Sequence, residues 1–176
     1  MKISALKNQI FLKKSFLCIG LDVDLDKVPS SVKAMEDPLF EFSKAIIDST
    51  AAYAVAYKPN IAFFETYGSQ GMASLKRVMD YLNKNYPEIF TIADAKRGDI
   101  GNTATRYAKA YYETYNFDSI TVAPYMGKDS VEPFLSFKEK YAILLALTSN
   151  VGSSDFQTQE IGTQMLYEKV IQSSAC

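Results

Sequence analysis

Short apolar runs alternate along the chain with longer stretches in which apolar residues recur at helical spacing. Phe16-Leu-Cys-Ile-Gly-Leu-Asp22 reads as a first strand that ends in the acidic stretch Asp22 to Asp26. Asp37-Pro38 then offers an N-cap and an N1 proline for a helix with Leu39, Phe42, Ile46 and Ile47 on one face. A second strand, Tyr53 to Tyr57, stops at Lys58-Pro59-Asn60. The segment from Ser69 to Tyr86 sets Leu75, Val78, Met79 and Leu82 at i, i+3, i+4 and i+7, and Pro87 closes this second amphipathic helix. Phe90 to Ala93 is a third strand, running into Asp94-Ala-Lys96-Arg-Gly-Asp99-Ile-Gly-Asn-Thr103. Beyond it the pattern predicts a helix over Ala104 to Tyr115, a fourth strand over Ser119 to Ala123 and a helix over Val131 to Lys140, interrupted near its start by Pro133. A fifth strand, Tyr141 to Leu147, ends at Thr148-Ser149-Asn150, and a last helix follows over Ile161 to Ser173.

Five βα units without internal repeat, each strand followed by a polar cluster, predict an α/β fold with a parallel sheet and its functional residues at the carboxyl ends of the strands. Neither Gly-x-Gly-x-x-Gly nor a P-loop follows the first strand, so the pattern favours a (β/α)8 TIM barrel over an open doubly wound sheet. A closed barrel takes eight units and about 250 residues. Residues 1–176 are therefore read as one barrel domain holding about five βα units, with roughly three more expected after Cys176. Left open, such a sheet would carry two unpaired apolar edges.

Composition narrows the chemistry. The chain has 176 residues, 48% apolar and 22% charged, with 19 basic against 20 acidic side chains. That excludes disorder, and the absence of a run of five like charges leaves no basic patch for nucleic acid or an anionic membrane. A small neutral-to-anionic metabolite is the better partner class. The sequence holds no histidine, which removes Ser/His/Asp hydrolases and His-ligated zinc enzymes and leaves proton chemistry to carboxylates and lysines. Cys18 and Cys176 have no neighbour at metal or redox spacing and read as reduced, structural thiols. Met1 to Lys14 carries four lysines, Phe16 to Gly20 is too short for a signal h-region, and no window approaches a membrane span, so the expected location is cytoplasmic.

Asp94 and Lys96 are two residues apart on an extended strand, so both side chains leave the same face. By the same alternation Asp22 shares its face with Gly20 and Cys18, and Lys58 with Ala56 and Ala54. Three strand ends thus aim Asp22, Lys58, Asp94 and Lys96 at one place. Alternating carboxylates and ammoniums there can hold one another ionised in a partly dehydrated mouth. The competing reading is a structural ion network that closes the top of the barrel.

These residues resemble a known family. Asp94-Ala-Lys96-Arg-Gly-Asp99-Ile-Gly101-Asn-Thr103 is similar to the signature of orotidine 5'-phosphate decarboxylases, in the subgroup reading Asp-Ala-Lys-Arg-Gly-Asp-Ile-Gly. The resemblance runs from Gly-Leu-Asp22 through Tyr-Lys58-Pro-Asn to Leu-Thr-Ser149-Asn. It implies conversion of orotidine monophosphate to uridine monophosphate, the last step of making that nucleotide de novo, with no metal and no organic cofactor. On the same basis Lys96 would protonate pyrimidine C6, and Asp94 would crowd the departing carboxylate. Lys58 would complete the charge chain, and Asp22 would take a ribose hydroxyl. Asp99 and Thr103 would reach across a homodimer interface into the partner's site. Thr103 reads equally well as a helix N-cap, and Gly98 and Gly101 as turn residues. Ser149 would meet the amide edge of the pyrimidine, favoured over Thr148 by alternation along Ile143, Leu145 and Leu147, with Thr148 the fallback if the chain bends after the strand. The family's main phosphate anchors follow strands seven and eight, which these residues do not reach.

Two other readings compete. A metal-dependent sugar-phosphate decarboxylase or aldolase of the same superfamily shares the looser Asp-x-Lys-x-x-Asp pattern, but it wants an acidic ligand where Lys58 stands. A noncatalytic nucleotide-binding half barrel would explain the missing phosphate loops.

Overall fold

The structure, a computed structural model, describes residues 1–174, so Cys176 lies outside the described residues. Helix α1 (Ile3–Lys13) precedes strand β1 (Leu17–Leu21), and α2 (Ser30–Lys33) and α3 (Pro38–Thr50) lead to β2 (Ala54–Pro59). The short α4 (Ile61–Glu65) and the long α5 (Gly68–Asn85) lead to β3 (Phe90–Arg97). Helix α6 (Gly101–Lys109) continues into a wider π turn (Ala110–Thr114) before β4 (Ser119–Val122). A 3-10 turn (Lys128–Ser130) and α7 (Glu132–Leu135) precede β5 (Tyr141–Leu144). Beyond it come a small antiparallel pair, β6 (Glu160–Ile161) with β7 (Gln164–Met165), and α8 (Leu166–Ser174).

Strands β1 to β5 form one parallel sheet in chain order. Each crossover therefore returns the chain beside the strand it has just left, which is how a βα barrel wall is built. Apolar side chains of the strands pack outward against the helices, in a core that includes Leu21, Ile47, Leu75, Val78, Met79 and Ile120. Tyr57 fixes the facing of β2, because its buried hydroxyl donates to the Ile47 carbonyl on α3 at 3.0 Å. Lys58, the next residue, must then leave on the concave face. Asp37 caps α3 by accepting from the Phe40 amide at 3.1 Å, as its place before Pro38 predicts. The same carboxylate accepts from Ser74 Oγ and Arg77 Nη1, each at 2.7 Å, and so ties α5 to α3.

The opposite end of the sheet is held by α1, which the periodicity does not predict because none of its residues is buried. The Met1 amino group pairs with Asp118 Oδ1 at 2.5 Å, and Asp118 Oδ2 accepts from the Thr91 amide and hydroxyl at 3.0 Å each. Lys13 Nζ donates to the carbonyls of Ala51 and Ala54 at 2.8 Å, where β2 begins.

Three predicted elements need correction. The helix expected over Val131 to Lys140 is reduced to α7, because the chain turns after Ser136 and Glu139 takes a left-handed φ of 58°. The last helix begins at Leu166 rather than Ile161, since Ile161 is spent in the β6–β7 hairpin. The fifth strand stops at Leu144, not Leu147. Cys18 is exposed rather than packed in a core. Among the described residues no helix is long and apolar enough to cross a membrane.

Candidate active site

Asp94 sits at the centre of the concave face at the carboxyl end of β3. Its Oδ2 accepts from Lys58 Nζ at 2.8 Å and its Oδ1 from Lys96 Nζ at 2.5 Å. The carboxylate is 10% exposed, against 33% for the Lys58 side chain and 54% for that of Lys96, so a largely dehydrated anion is held by two cations that still reach solvent. Burial alone would raise the Asp94 carboxyl above the ordinary carboxylate range, but the hydrogen bonds and charges of Lys58 and Lys96 outweigh it and hold it below. For Lys58 burial acts to lower the ammonium, and the Asp94 hydrogen bond with the charges of Asp94 and Asp22 raises it. Both groups are therefore ionised at neutral pH.

Asp22 lies at the exit of β1, exposed, and accepts from Asn60 Nδ2 at 3.1 Å. The register that sets Gly20 beside Lys58 and Leu21 beside Pro59 brings β1 and β2 out at the same height. All four charged residues expected to converge thus surround one mouth.

The alternation that aims Asp94 and Lys96 inward survives a local disruption. Between the pairs Ala93/Ile120 and Arg97/Val122, β3 spends three residues where β4 spends one. Within this bulge Lys96 adopts φ of 48°, a left-handed backbone that costs a non-glycine residue of order 1 kcal/mol or more. Its amide, displaced from the ladder, donates instead to Thr121 Oγ1 at 2.9 Å. Ala93, Ala95 and Arg97 leave on the outer face, where Arg97 pairs with Glu65, donates to the Tyr111 hydroxyl at 3.1 Å and stacks over Tyr107. Sequence reasoning missed Thr121 and the use made of Asn60. Thr121 is the inward residue of the neighbouring strand, and that position was the available signal.

The model of the orotidine 5'-phosphate decarboxylase / HUMPS family matches residues 15–175. The chain belongs to this family. It is 62% identical over 169 residues to an orotidine 5'-phosphate decarboxylase of Flavobacterium johnsoniae, covering 96% of this chain and 62% of that relative. With the enzyme of the same name from Phocaeicola vulgatus it shares 54% identity over 173 residues, covering 96% and 64%. The solved structure of Leishmania donovani OMP decarboxylase superposes with a TM-score of 0.83 at 39% identity, over 97% of this chain and 63% of that one. The chain thus spans just under two thirds of the length of these relatives.

Within this family member, the remaining expected residues fall outside the central cluster. Asp99 is half-buried after β3, its Oδ1 accepting from the Ile100 amide at 2.8 Å. Thr103 is exposed inside the first turn of α6; the N-cap is Ile100, so the capping reading of Thr103 is wrong, because the helix starts at Gly101 and not at Ala104. Gly101 does turn the chain, with φ of 55°, whereas Gly98 is a close-packing position where an added Cβ would lie 2.7 Å from the Ala123 carbonyl oxygen. Thr148 is engaged locally, its amide donating to Gln157 Oε1 at 2.7 Å and its hydroxyl accepting from Gln157 Nε2 at 2.9 Å, while Ser149 is exposed.

Proposed function

We propose that the protein converts orotidine 5'-monophosphate to uridine 5'-monophosphate and carbon dioxide, the last step of de novo synthesis of that nucleotide, without metal or organic cofactor. The observation that carries this reading is the Lys58–Asp94–Lys96 cluster at a strand end, in a chain whose relatives at 51 to 62% identity are named for that activity. In the reaction the bond from C6 to its carboxylate breaks, the electron pair stays on C6 and carbon dioxide leaves. The Lys96 ammonium gives a proton to C6 to form the new C–H bond, and water reprotonates the lysine. Charge develops on a carbon that no carbonyl delocalises well, so preorganised cations supply the stabilisation. Asp94, kept ionised by its two lysines, faces the departing carboxylate and disfavours it in the bound state.

Asp22 takes a ribose hydroxyl and Ser149 the amide edge of the pyrimidine. Asp99 and Thr103 serve the site of a second copy in a cytoplasmic homodimer; the exposure of Thr103 and the position of Asp99 beyond its own cluster support this. The test is carbon dioxide release from orotidine monophosphate by the purified full-length protein in excess chelator, with uridine monophosphate identified as product. Turnover is expected to persist. A strict divalent-metal requirement would favour the sugar-phosphate enzyme reading, and nucleotide binding without turnover the noncatalytic half barrel. For the shared site, mixing inactive Lys96→Ala with inactive Asp99→Ala subunits should restore activity, because one hybrid site then holds both native residues. No recovery after demonstrated subunit exchange would mean self-contained sites.

A further inference from the structure

The bulge at the end of β3 leaves two problems that one side chain resolves. A left-handed Lys96 has lost the ladder partner for its amide, and the Asp94 carboxylate, 10% exposed, takes its lysine donors from the ends of two long flexible side chains that do not by themselves fix its orientation. Thr121, 6% exposed on the adjacent strand, lies within reach of both. Its hydroxyl oxygen accepts from the Lys96 amide at 2.9 Å, and its single proton goes to Asp94 Oδ1 at 3.2 Å, with the Ala93 carbonyl a longer alternative at 3.4 Å. Asp94 Oδ1 is the same oxygen that receives the Lys96 ammonium. The hydroxyl therefore links the backbone of one charged residue to the carboxylate of the other, across a gap where regular strand pairing has failed.

We propose that Thr121 is a positioning residue for the proposed decarboxylation: it holds Lys96 in its left-handed conformation and orients Asp94, so that ammonium and carboxylate keep their register. The role rests on the function proposed above and touches no substrate. Its β-branched Cβ also restricts the side chain to few rotamers, which keeps the hydroxyl aimed into the bulge. Valine at this position preserves shape and branching but removes the oxygen, leaving the Lys96 amide without a partner and Asp94 one donor short.

The experiment compares Thr121→Val and Thr121→Ser in the full-length protein. A displaced reacting group costs up to about a hundredfold in rate, so Thr121→Val is expected to lower kcat about 10- to 100-fold with KM changed by less than about threefold. Thr121→Ser, which keeps the oxygen, should recover kcat to within about threefold of the native protein. Hydrogen exchange at the Lys96 amide supplies a readout independent of turnover: protected in the native protein and Thr121→Ser, fast in Thr121→Val. Native kcat in Thr121→Val together with a protected Lys96 amide would overturn the role. So would a kcat loss that serine fails to rescue, or one matched by an equal loss of folded protein in circular dichroism. If the native protein does not turn over orotidine monophosphate, the functional reading fails, and the amide exchange still decides whether Thr121 holds the bulge.

Discussion

The two ends of the sheet use the same chemistry to opposite purpose. At the amino end Asp118 gathers the Met1 amino group together with the amide and hydroxyl of Thr91, which lies in the regular part of β3. At the carboxyl end Asp94 gathers two lysine ammoniums and a threonine hydroxyl across a bulge, beside a residue in a left-handed backbone. Both carboxylates are mostly dehydrated, with exposures of 14% and 10%. The difference lies in the partners. Asp118 is satisfied by three donors, two of them main-chain nitrogens, that hold the floor of the fold together. Asp94 is satisfied by ends of long side chains that reach solvent, and so can meet a ligand, in a segment that accepts strain. Dehydrated charge by itself does not separate structure from function; donors free to move toward a ligand, and strained backbone beside them, do.

Substitution at the carboxyl end should break this contrast most visibly. Asp94→Asn is expected to lower carbon dioxide release by about 10²- to 10⁴-fold, the range spanned by a lost electrostatic or acid–base group. Unfolding free energy should change by about 1 kcal/mol or less, because both lysines remain in contact with water. Kinetics and urea denaturation measured on the same preparation check both halves. At the floor the pattern reverses. Asp118→Ala strands the Thr91 amide and should cost about 1–3 kcal/mol of stability, with kcat unchanged in the folded fraction. A smaller effect sharpens the electrostatics. The native Asp94 carboxyl lies below its ordinary value of 3.8, so its contribution to stability is complete above that pH and is lost as pH falls through the lower native value. The stability difference between the native protein and Asp94→Asn should therefore shrink on acidification below 3.8; a difference that grows there would contradict the pairing.

Legibility in the sequence followed burial. Where a helix packs on the sheet, as with the Leu75, Val78, Met79 and Leu82 face of α5, the period was plain and the helix was found within a residue at each end. Where nothing is buried, as in α1, or where local turns decide, as after Phe134, the pattern carried no signal and α1 and the short α7 were misread. The charged mouth was readable because strand alternation still delivers Asp94 and Lys96 to one face and Lys58 opposite Tyr57. The bulge was not, since the two extra residues of β3 follow from its pairing with β4 and leave no trace in its own alternation. The inward place of Thr121 could be read from alternation along β4, but the use of its hydroxyl could not, since that exists only across the irregular pair.

Lys96 separates the two ends most cleanly, because its side chain is more than half exposed and contributes little to packing. Unfolding free energy and carbon dioxide release from orotidine monophosphate, measured together on Lys96→Ala of the full-length protein, test whether the carboxyl-end cluster exists for chemistry. The expected result is release reduced by at least about a thousandfold, with stability within about 1 kcal/mol of the native protein. Turnover within about tenfold of native, accompanied by a large loss of stability, would make the cluster a second structural clasp like the one around Asp118.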